Sequence, residues 1–314
     1  MTRSGPAAAL AARLLLVASV AVAAASCASP VGPGSGGSGA SGSDGRVIVV
    51  TTTTTVFADL VRQVGGELVD AVSLVPNGGD VHTFAPRPSD MRRLSSARLI
   101  VMNGLGLDDW VGRLISDAGA TAPVVRLAED LPGARYLLDP SGTTNPHLWL
   151  EVPNAERYVA RIADALATVD PQHAAAYRAG AADYMARLGQ LDGWIRAQIA
   201  SIPPQNRRLV AFHDAFPYFA DAYGLEIVGT VVAAAGQEPG AGQVTRLIDA
   251  IRQAHVRAVF AEAQFNPAIA QAVAADSGAR VVTDLYDDTL GPAPADTYDG
   301  MMRWDVRKIV EALA

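Results

Sequence analysis

Three of the five histidines in this chain share one kind of position, a polar segment that adjoins a run of apolar residues. They are His82 at the end of Pro76–His82, His147 after Asn145-Pro146, and His213 directly after Leu209–Phe212. In parallel α/β domains the loops beyond the carboxyl ends of strands converge on one crevice, where ligands bind. Imidazole is the commonest metal ligand near neutral pH. Together the three histidines indicate a shared metal site, although each one taken alone is better explained as a polar loop side chain bonded to the backbone.

A closed tetrahedral metal site needs a fourth donor, and acidic residues follow two later apolar segments. Asp284, Asp287 and Asp288 come after the last such segment, and Glu262 follows Ala258–Ala261. An acidic turn with helix-capping roles would explain the aspartates just as well, so the residues alone leave the fourth ligand open.

The remaining two histidines have no such setting. His173 falls in the first turn of a predicted helix, and His255 falls in a turn between a predicted helix and a predicted strand. We expect both side chains to be solvated.

Several other kinds of function lack support in the sequence. The chain contains no GxSxG nucleophile motif and no P-loop, and its single cysteine, Cys27, lies near the N-terminus. The segment Gly104–Leu107 lacks the third glycine of a dinucleotide-binding fingerprint. The formal net charge is −7 and no long basic run occurs, so nucleic acid is not an expected partner.

The elements that must position these residues alternate between strand and helix, which predicts an α/β fold with mainly parallel sheets. Predicted strands are 47–50, 69–75, 99–102, 124–125, 208–212, 226–231, 258–261 and 280–283. Predicted helices are 56–64, 91–97, 109–118, one from Asn154, 171–199, 216–222, 243–253, 267–276 and 298–313. The helix at 171–199 is unusually long, with Asp170 as its predicted N-cap. We therefore expect two similar lobes, 46–169 and 203–314, joined by one long helix within 170–202.

The N-terminal segment has the features of an export signal. Arg3 and Arg13 precede the apolar run Leu14–Ala25, which is shorter than the about 20 residues that cross a bilayer. Small residues before Cys27 resemble the lipobox of bacterial lipoproteins, with Ala24 where leucine is commoner. These features predict a signal peptide over 1–27 with lipid attachment at Cys27. Residues 28–45, rich in glycine and serine, are expected to form a disordered tether.

Several motifs resemble the zinc/manganese ABC-transporter solute-binding lipoproteins. They are Leu74-Val75-Pro76-x-Gly78-x-Asp80-x-His82-x-Phe84-x-Pro86, Asn103-Gly104-Leu105-Gly106-Leu107, Asn145-Pro146-His147-Leu148-Trp149, Phe212-His213-Asp214-Ala215-Phe216 and Asp288-Thr289-Leu290. The second histidine motif of that family usually begins with aspartate, where this chain has Asn145. The resemblance runs in the same order over about residues 46–314. It implies two α/β lobes bridged by a rigid helix, with small lobe motions.

By this resemblance His82, His147 and His213 are metal ligands, and Asp288 supplies carboxylate oxygen. Asp287 is the alternative if the loop differs by one residue. Three imidazoles and one carboxylate suit zinc, and family members dedicated to manganese often have a glutamate where His213 stands. Many zinc members carry a histidine-rich loop before the second ligand, whereas Tyr136–Pro146 contains no histidine. The expected ion is zinc, with manganese the second choice and iron the third.

The resemblance implies a receptor rather than an enzyme. We expect a monomer, lipid-anchored on the outer face of the cell membrane, that captures the ion and delivers it to an ABC-transporter permease. An exported metal-dependent hydrolase is one alternative, which would need an open coordination position and a general base. A surface adhesin or structural lipoprotein is the other.

Overall fold

The computed structural model describes residues 47–232 and 236–314. The predicted signal peptide 1–27, its lipid-attachment residue Cys27 and the predicted tether 28–45 lie outside the described residues. Within the described residues, no helix combines the length and the apolar character needed to cross a membrane.

The first lobe is built on a four-stranded parallel sheet. Its strands are β1 (Ile48–Thr52), β2 (Val69–Ser73), β3 (Leu99–Met102) and β4 (Val124–Arg126), in the order β2-β1-β3-β4. Its helices are α1 (Thr55–Gly65), α2 (Pro88–Ser96) and α3 (Trp110–Asp117). The continuous β-branched and apolar sequence of β1 and β3 fits strands that are covered on both faces, and all four residues of β3 are buried.

The second lobe repeats this arrangement. Its strands are β5 (Arg208–Ala211), β6 (Glu226–Thr230), β7 (Ala258–Glu262) and β8 (Arg280–Leu285), all parallel in the order β6-β5-β7-β8. Its helices are α6 (Pro217–Tyr223), α7 (Ala241–Ala254), α8 (Ala268–Ser277) and α9 (Tyr298–Leu313). In each sheet the first strand of the lobe lies between the second and the third strand. The two lobes therefore have the same topology.

The first lobe ends with α4 (Val152–Val169), and α5 (Ala174–Ala200) follows it as the connection to the second lobe. α5 has 27 residues, which corresponds to a length of about 40 Å. It packs against α1 and α4 of the first lobe and against α6 and α9 of the second. Its buried residues recur every three to four positions and are Tyr177, Ala181, Tyr184, Leu188, Leu191, Ile195 and Ile199. The prediction of two parallel-sheet lobes joined by one long helix is confirmed.

The start of this helix differs from the prediction. A 3₁₀ turn, Pro171–His173, comes first, and the Asp170 side chain does not cap the helix backbone. Asp170 Oδ2 instead accepts a hydrogen bond from the Tyr177 hydroxyl at 2.7 Å and lies 2.6 Å from His173 Nδ1. His173 is therefore in contact with Asp170, and with 24% of its side chain exposed it is less solvated than predicted. His255 is exposed at the end of α7, as predicted.

The two lobes share one hydrophobic core. A continuous cluster of buried side chains runs from Val50 and Phe57 in the first lobe through Tyr158 and Tyr184 to Met301 in the second. Because well-packed interiors resist deformation, this shared core favours small relative motions of the lobes.

A buried carboxylate orders the loop after β3. Asp108 accepts hydrogen bonds from the backbone N–H of Asn103 at 2.7 Å and of Gly104 at 2.9 Å. Leu105 within this loop has a positive φ of 55°. Burial raises the pKa of Asp108 to about 6, although the hydrogen bonds that it accepts from the Asn103 and Gly104 N–H groups oppose the change.

This pKa predicts a pH-dependent contribution to stability. Since the pKa is raised in the folded state, the contribution is present below about pH 4 and is lost as the pH rises through about 6. Its size is on the order of 3 kcal/mol. We expect Asp108→Asn to remove this dependence, besides a constant loss from the missing second acceptor oxygen. Urea unfolding of both proteins at pH 4.5 and pH 7.5 measures it, and an identical change with pH in both would contradict the assignment.

Candidate metal centre

The three histidines predicted from sequence meet at the carboxyl ends of the strands. His82 lies in the loop after β2, His147 immediately precedes a 3₁₀ turn (Leu148–Leu150) before α4, and His213 follows β5. Their ring centroids are 5.7 Å apart for His82 and His147, 5.6 Å for His82 and His213, and 5.3 Å for His147 and His213. Two come from the first lobe and one from the second, so the cluster lies where the lobes meet.

Asp288, in the segment after β8, completes this cluster. Its Oδ2 lies 3.3 Å from His82 Nε2, and its Oδ1 lies 3.6 Å from His147 Nε2. Donor atoms of a tetrahedral zinc site with bonds of about 2.0–2.1 Å are separated by about 3.3–3.4 Å. One donor atom from each of His82, His147, His213 and Asp288 lies within 4.8 Å of every other. The four residues therefore have the spacing of a coordination shell.

The donor atoms of this cluster are buried without hydrogen-bond partners. They include Nε2 of His82, His147 and His213 and both carboxylate oxygens of Asp288. Asp288 is fully buried, and His147 and His213 are 3% and 2% exposed. Buried polar atoms normally have partners, and leaving a charged group without one is costly. A cation is the kind of ligand that would satisfy all of them at once.

Asn145 orients His147. The Asn145 Oδ1 atom lies 3.0 Å from both the backbone N and the Nδ1 of His147. An Nδ1–H donated to this oxygen leaves the Nε2 lone pair free for a metal ion, the usual arrangement around ligating histidines. The Asn145 amide in turn donates to the backbone oxygen of Asp214 at 2.6 Å, which links the His147 loop to the residue beside His213.

Glu262 and Asp287 face the two ring nitrogens of His213. Glu262 Oε1 lies 3.4 Å from Nδ1, and Asp287 Oδ2 lies 3.5 Å from Nε2. Glu262 ends β7, is 1% exposed, and stands in the position of a carboxylate that orients a ligating histidine. Thus Glu262, a candidate ligand from sequence, faces the nitrogen that is directed away from Asp287.

The acidic segment of the second lobe is fixed to the first lobe by hydrogen bonds. The Trp149 indole N–H donates to the Asp287 carbonyl at 3.0 Å, and the Leu290 N–H donates to Thr55 Oγ1 at 2.8 Å. The Gly78 N–H donates to Thr289 Oγ1 at 3.2 Å. These contacts hold Asp287 and Asp288 in place against the histidines of the first lobe.

The surroundings shift the pKa values of the two adjacent aspartates, Asp287 and Asp288, in opposite directions. Burial, together with Asp288 and Glu262, raises the pKa of Asp287 well above its ordinary value. Burial acts in the same direction on Asp288, but His82, His147 and His213 outweigh it and hold the pKa of that carboxyl below its usual range. The ionised form is thus more favoured at Asp288 than at Asp287. This favours Asp288 over Asp287 as the carboxylate that completes the four-residue set.

The histidines also differ from one another. Burial lowers the pKa of His147 well below its ordinary value, although the Asp288 carboxylate opposes this. Burial would lower the pKa of His213 too, but Glu262, Asp287 and Asp288 outweigh it and raise the pKa to about 10. His147 is therefore ready to donate a lone pair, whereas a metal ion at His213 must displace a proton.

A cavity of about 260 Å³ leads from the surface to the cluster. His82, His147 and His213 line it together with the loop residues Leu105 and Asp214. Asp287, Asp288 and Glu262 are absent from its lining and lie deeper. An ion that enters this way meets the imidazoles first and the carboxylates behind them.

Asn145 and Trp149 are named from the sequence only as parts of a motif and Thr55 is not named, so none of the three is assigned a role at the site. The separation of Asn145 and His147 by two residues is typical of a side chain that bonds the backbone two positions on, which could have indicated Asn145. The roles of Trp149 and Thr55 depend on contacts with residues more than 130 positions away. Nothing local in the sequence indicates them.

Two parallel-sheet lobes, a long connecting helix and an inter-lobe cluster of metal-ligand side chains define a solute-binding protein of the metal-binding class. The family described as zinc-uptake complex component A, periplasmic, matches residues 50–312, and the chain belongs to this family. Members are substrate-binding receptors of ABC transporters.

Relatives within this family have names for different metals. The manganese-binding lipoprotein MntA of Halalkalibacterium halodurans is 32% identical over 272 residues, which are 86% of this chain and 90% of the relative. The iron ABC transporter substrate-binding lipoprotein MtsA of Streptococcus pyogenes serotype M1 is 29% identical over 274 residues, 84% of this chain and 88% of the relative. The solved structure of the periplasmic zinc-binding protein TroA from Treponema pallidum superposes with a TM-score of 0.79 at 27% identity, covering 86% of this chain and all of that one.

The contact between Glu262 and His213 leads to a prediction. Glu262→Ala removes the carboxylate beside Nδ1 and is expected to weaken metal binding about 10- to 100-fold, the usual effect of losing an orienting partner. Glu262→Gln keeps an acceptor oxygen and should lose less. Calorimetric titration with zinc gives both affinities, and equal, unchanged affinities would remove Glu262 from the site.

Proposed function

We propose that this protein captures a divalent transition-metal ion outside the cytoplasm and delivers it to the permease of an ABC transporter. The ligands in this proposal are His82, His147, His213 and Asp288. The observation that carries it is the set of buried donor atoms from these four residues, spaced like a coordination shell and without other partners. Membership of a family of metal-binding receptors supports the same conclusion.

Zinc is the proposed preferred ion and manganese the second. Three imidazole nitrogens and a carboxylate suit zinc, and at a given site zinc generally binds more tightly than manganese or iron(II). The names of the relatives support a divalent transition metal without choosing one, since they include manganese, iron and zinc.

Elemental analysis of the purified protein, followed by competitive titration with Zn²⁺ and Mn²⁺, tests this function. We expect one bound ion per chain and tighter binding of Zn²⁺ than of Mn²⁺. His255→Ala is the matched control, because His255 is an exposed histidine at the end of α7. Failure to bind any first-row divalent metal would contradict the proposal and would favour a structural or adhesive lipoprotein. The hydrolase alternative has no specific observation in its favour.

The proposed location is the outer face of the cell membrane, with a lipid on Cys27 as the anchor and 28–45 as the tether. Its support is the small-residue sequence before Cys27 and the relatives that are named lipoproteins. Labelling of cells with a radioactive fatty acid tests it. Label is expected in the native protein and not in Cys27→Ser, and an unlabelled native protein would contradict the anchor. The proposed monomeric state is tested by the molar mass from light scattering.

A further inference from the structure

One carboxylate oxygen beside the four-residue set has no assigned role. Asp287 Oδ1 accepts hydrogen bonds from the Gln264 amide and from the Asp288 N–H, both at 2.6 Å. These two bonds fix the side chain and direct the other oxygen, Oδ2, toward His213 Nε2 at 3.5 Å. Oδ2 is buried without a hydrogen-bond partner, and Asp287 is fully buried.

The donor atoms around His213 exceed those that a tetrahedral site uses. His82, His147 and His213 each offer a nitrogen, and the two oxygens of Asp288 face different histidines at 3.3 and 3.6 Å. Asp287 Oδ2 lies 3.5 Å from His213 Nε2, and by donor spacing Asp287 belongs with His213 and Glu262 in a second group that shares His213 with the first. Zinc in protein sites is satisfied by about four donors. Manganese favours oxygen donors and octahedral coordination with about six.

We propose that Asp287 is an additional metal ligand that distinguishes between ions: Zn²⁺ is held by the three histidines and Asp288, whereas Mn²⁺ also recruits the free oxygen of Asp287. This inference rests on the proposed function and deepens it. The same cavity then serves both ions, and Asp287 narrows the difference in their affinities. In this proposal Asp288 coordinates both ions, and Asp287 coordinates only Mn²⁺.

Competitive titration of Asp287→Ala and Asp287→Asn with Mn²⁺ and Zn²⁺ tests the proposal. The expected result is a loss of Mn²⁺ affinity of about tenfold or more, comparable to the loss of an orienting partner, with Zn²⁺ affinity changed by less than that. The retained Zn²⁺ affinity also shows that the variants fold. Asp305→Asn is the matched control, because Asp305 is another buried acid, whose carboxylate accepts the Tyr286 N–H at 3.1 Å and does not belong to the cluster.

The outcomes distinguish a failure of the proposed function from a failure of the role of Asp287. If the native protein binds neither ion, the proposed function fails. If the native protein binds both ions, and Asp287→Ala lowers both affinities equally or neither, the role of Asp287 in distinguishing ions is wrong. If Asp305→Asn also lowers the affinity for Mn²⁺ alone, the effect comes from removing a buried acid rather than from losing a ligand, and the proposal is wrong.

Discussion

His213→Ala is expected to bind Zn²⁺ about 100- to 1000-fold more weakly than the native protein. Four donors share a binding free energy of about 10–16 kcal/mol in zinc sites, so that one donor accounts for about 2.5–4 kcal/mol. His213 is the proposed ligand that follows β5 of the second lobe, and its ring centroid lies 5.6 Å from that of His82 and 5.3 Å from that of His147.

The variant also leaves two acids without their positive neighbour. Glu262 and Asp287 face the two nitrogens of His213 and both are buried. Without the imidazole, the cost of burying these two carboxyl groups side by side is no longer offset. We therefore expect the metal-free variant to unfold at lower urea concentration than the native protein, in addition to its loss of affinity.

Calorimetric titration at pH 7.5 measures the affinity, with His255→Ala as the exposed-histidine control. Circular dichroism at the same temperature shows whether the variant is folded. A folded His213→Ala with native Zn²⁺ affinity would exclude His213 as a ligand. A loss of the same size in His255→Ala would point to a general effect of histidine replacement.

The sequence was sufficient to predict the fold because its elements are strongly patterned. β3 is a continuous apolar segment, and the predicted and observed bounds agree at Leu99–Met102. α4 begins at Val152 rather than at Asn154, since Pro153 is accepted in the first turn of a helix. The predicted start of α5 is wrong because the Asp170 side chain can bond either to the helix backbone or to other side chains. In the folded chain it contacts the side chains of Tyr177 and His173 instead of the backbone.

The composition of the site was predictable, whereas its internal geometry was not. His82 and His213 follow predicted strands, which favoured a meeting at one end of the sheets, and the structure brings both together with His147. Asp287 and Asp288 are neighbours in sequence, and no local pattern shows that one faces His213 while the other faces His82 and His147. Hydrogen bonds with residues distant in sequence, among them Trp149 and Thr55 of the first lobe, hold that segment in its orientation.

Gly180 of α5 lies at a close approach between α5 and α1. A Cβ atom at Gly180 would lie 2.3 Å from the carbonyl oxygen of Val64, near the end of α1. Gly193 lies on the same helix, is exposed, and has no atom within 4 Å of the equivalent position. The two glycines therefore form a matched pair in which only the contact with α1 differs.

Gly180→Ala is expected to destabilise the protein by about 1–3 kcal/mol or more, since the extra methyl group forces α5 away from α1. Gly193→Ala is expected to stabilise it by about 0.5–1 kcal/mol, because alanine favours the helix. Urea unfolding of the metal-free proteins gives both values, and a shift in the same direction for the two variants would contradict the close approach.

Because α5 also packs against α9 and α6 of the second lobe, the displacement at Gly180 should extend to the cluster of metal-ligand side chains. Saturating Zn²⁺ stabilises only the folded state, so a smaller stabilisation in Gly180→Ala than in Gly193→Ala would show that the position of this helix sets the geometry of the metal ligands.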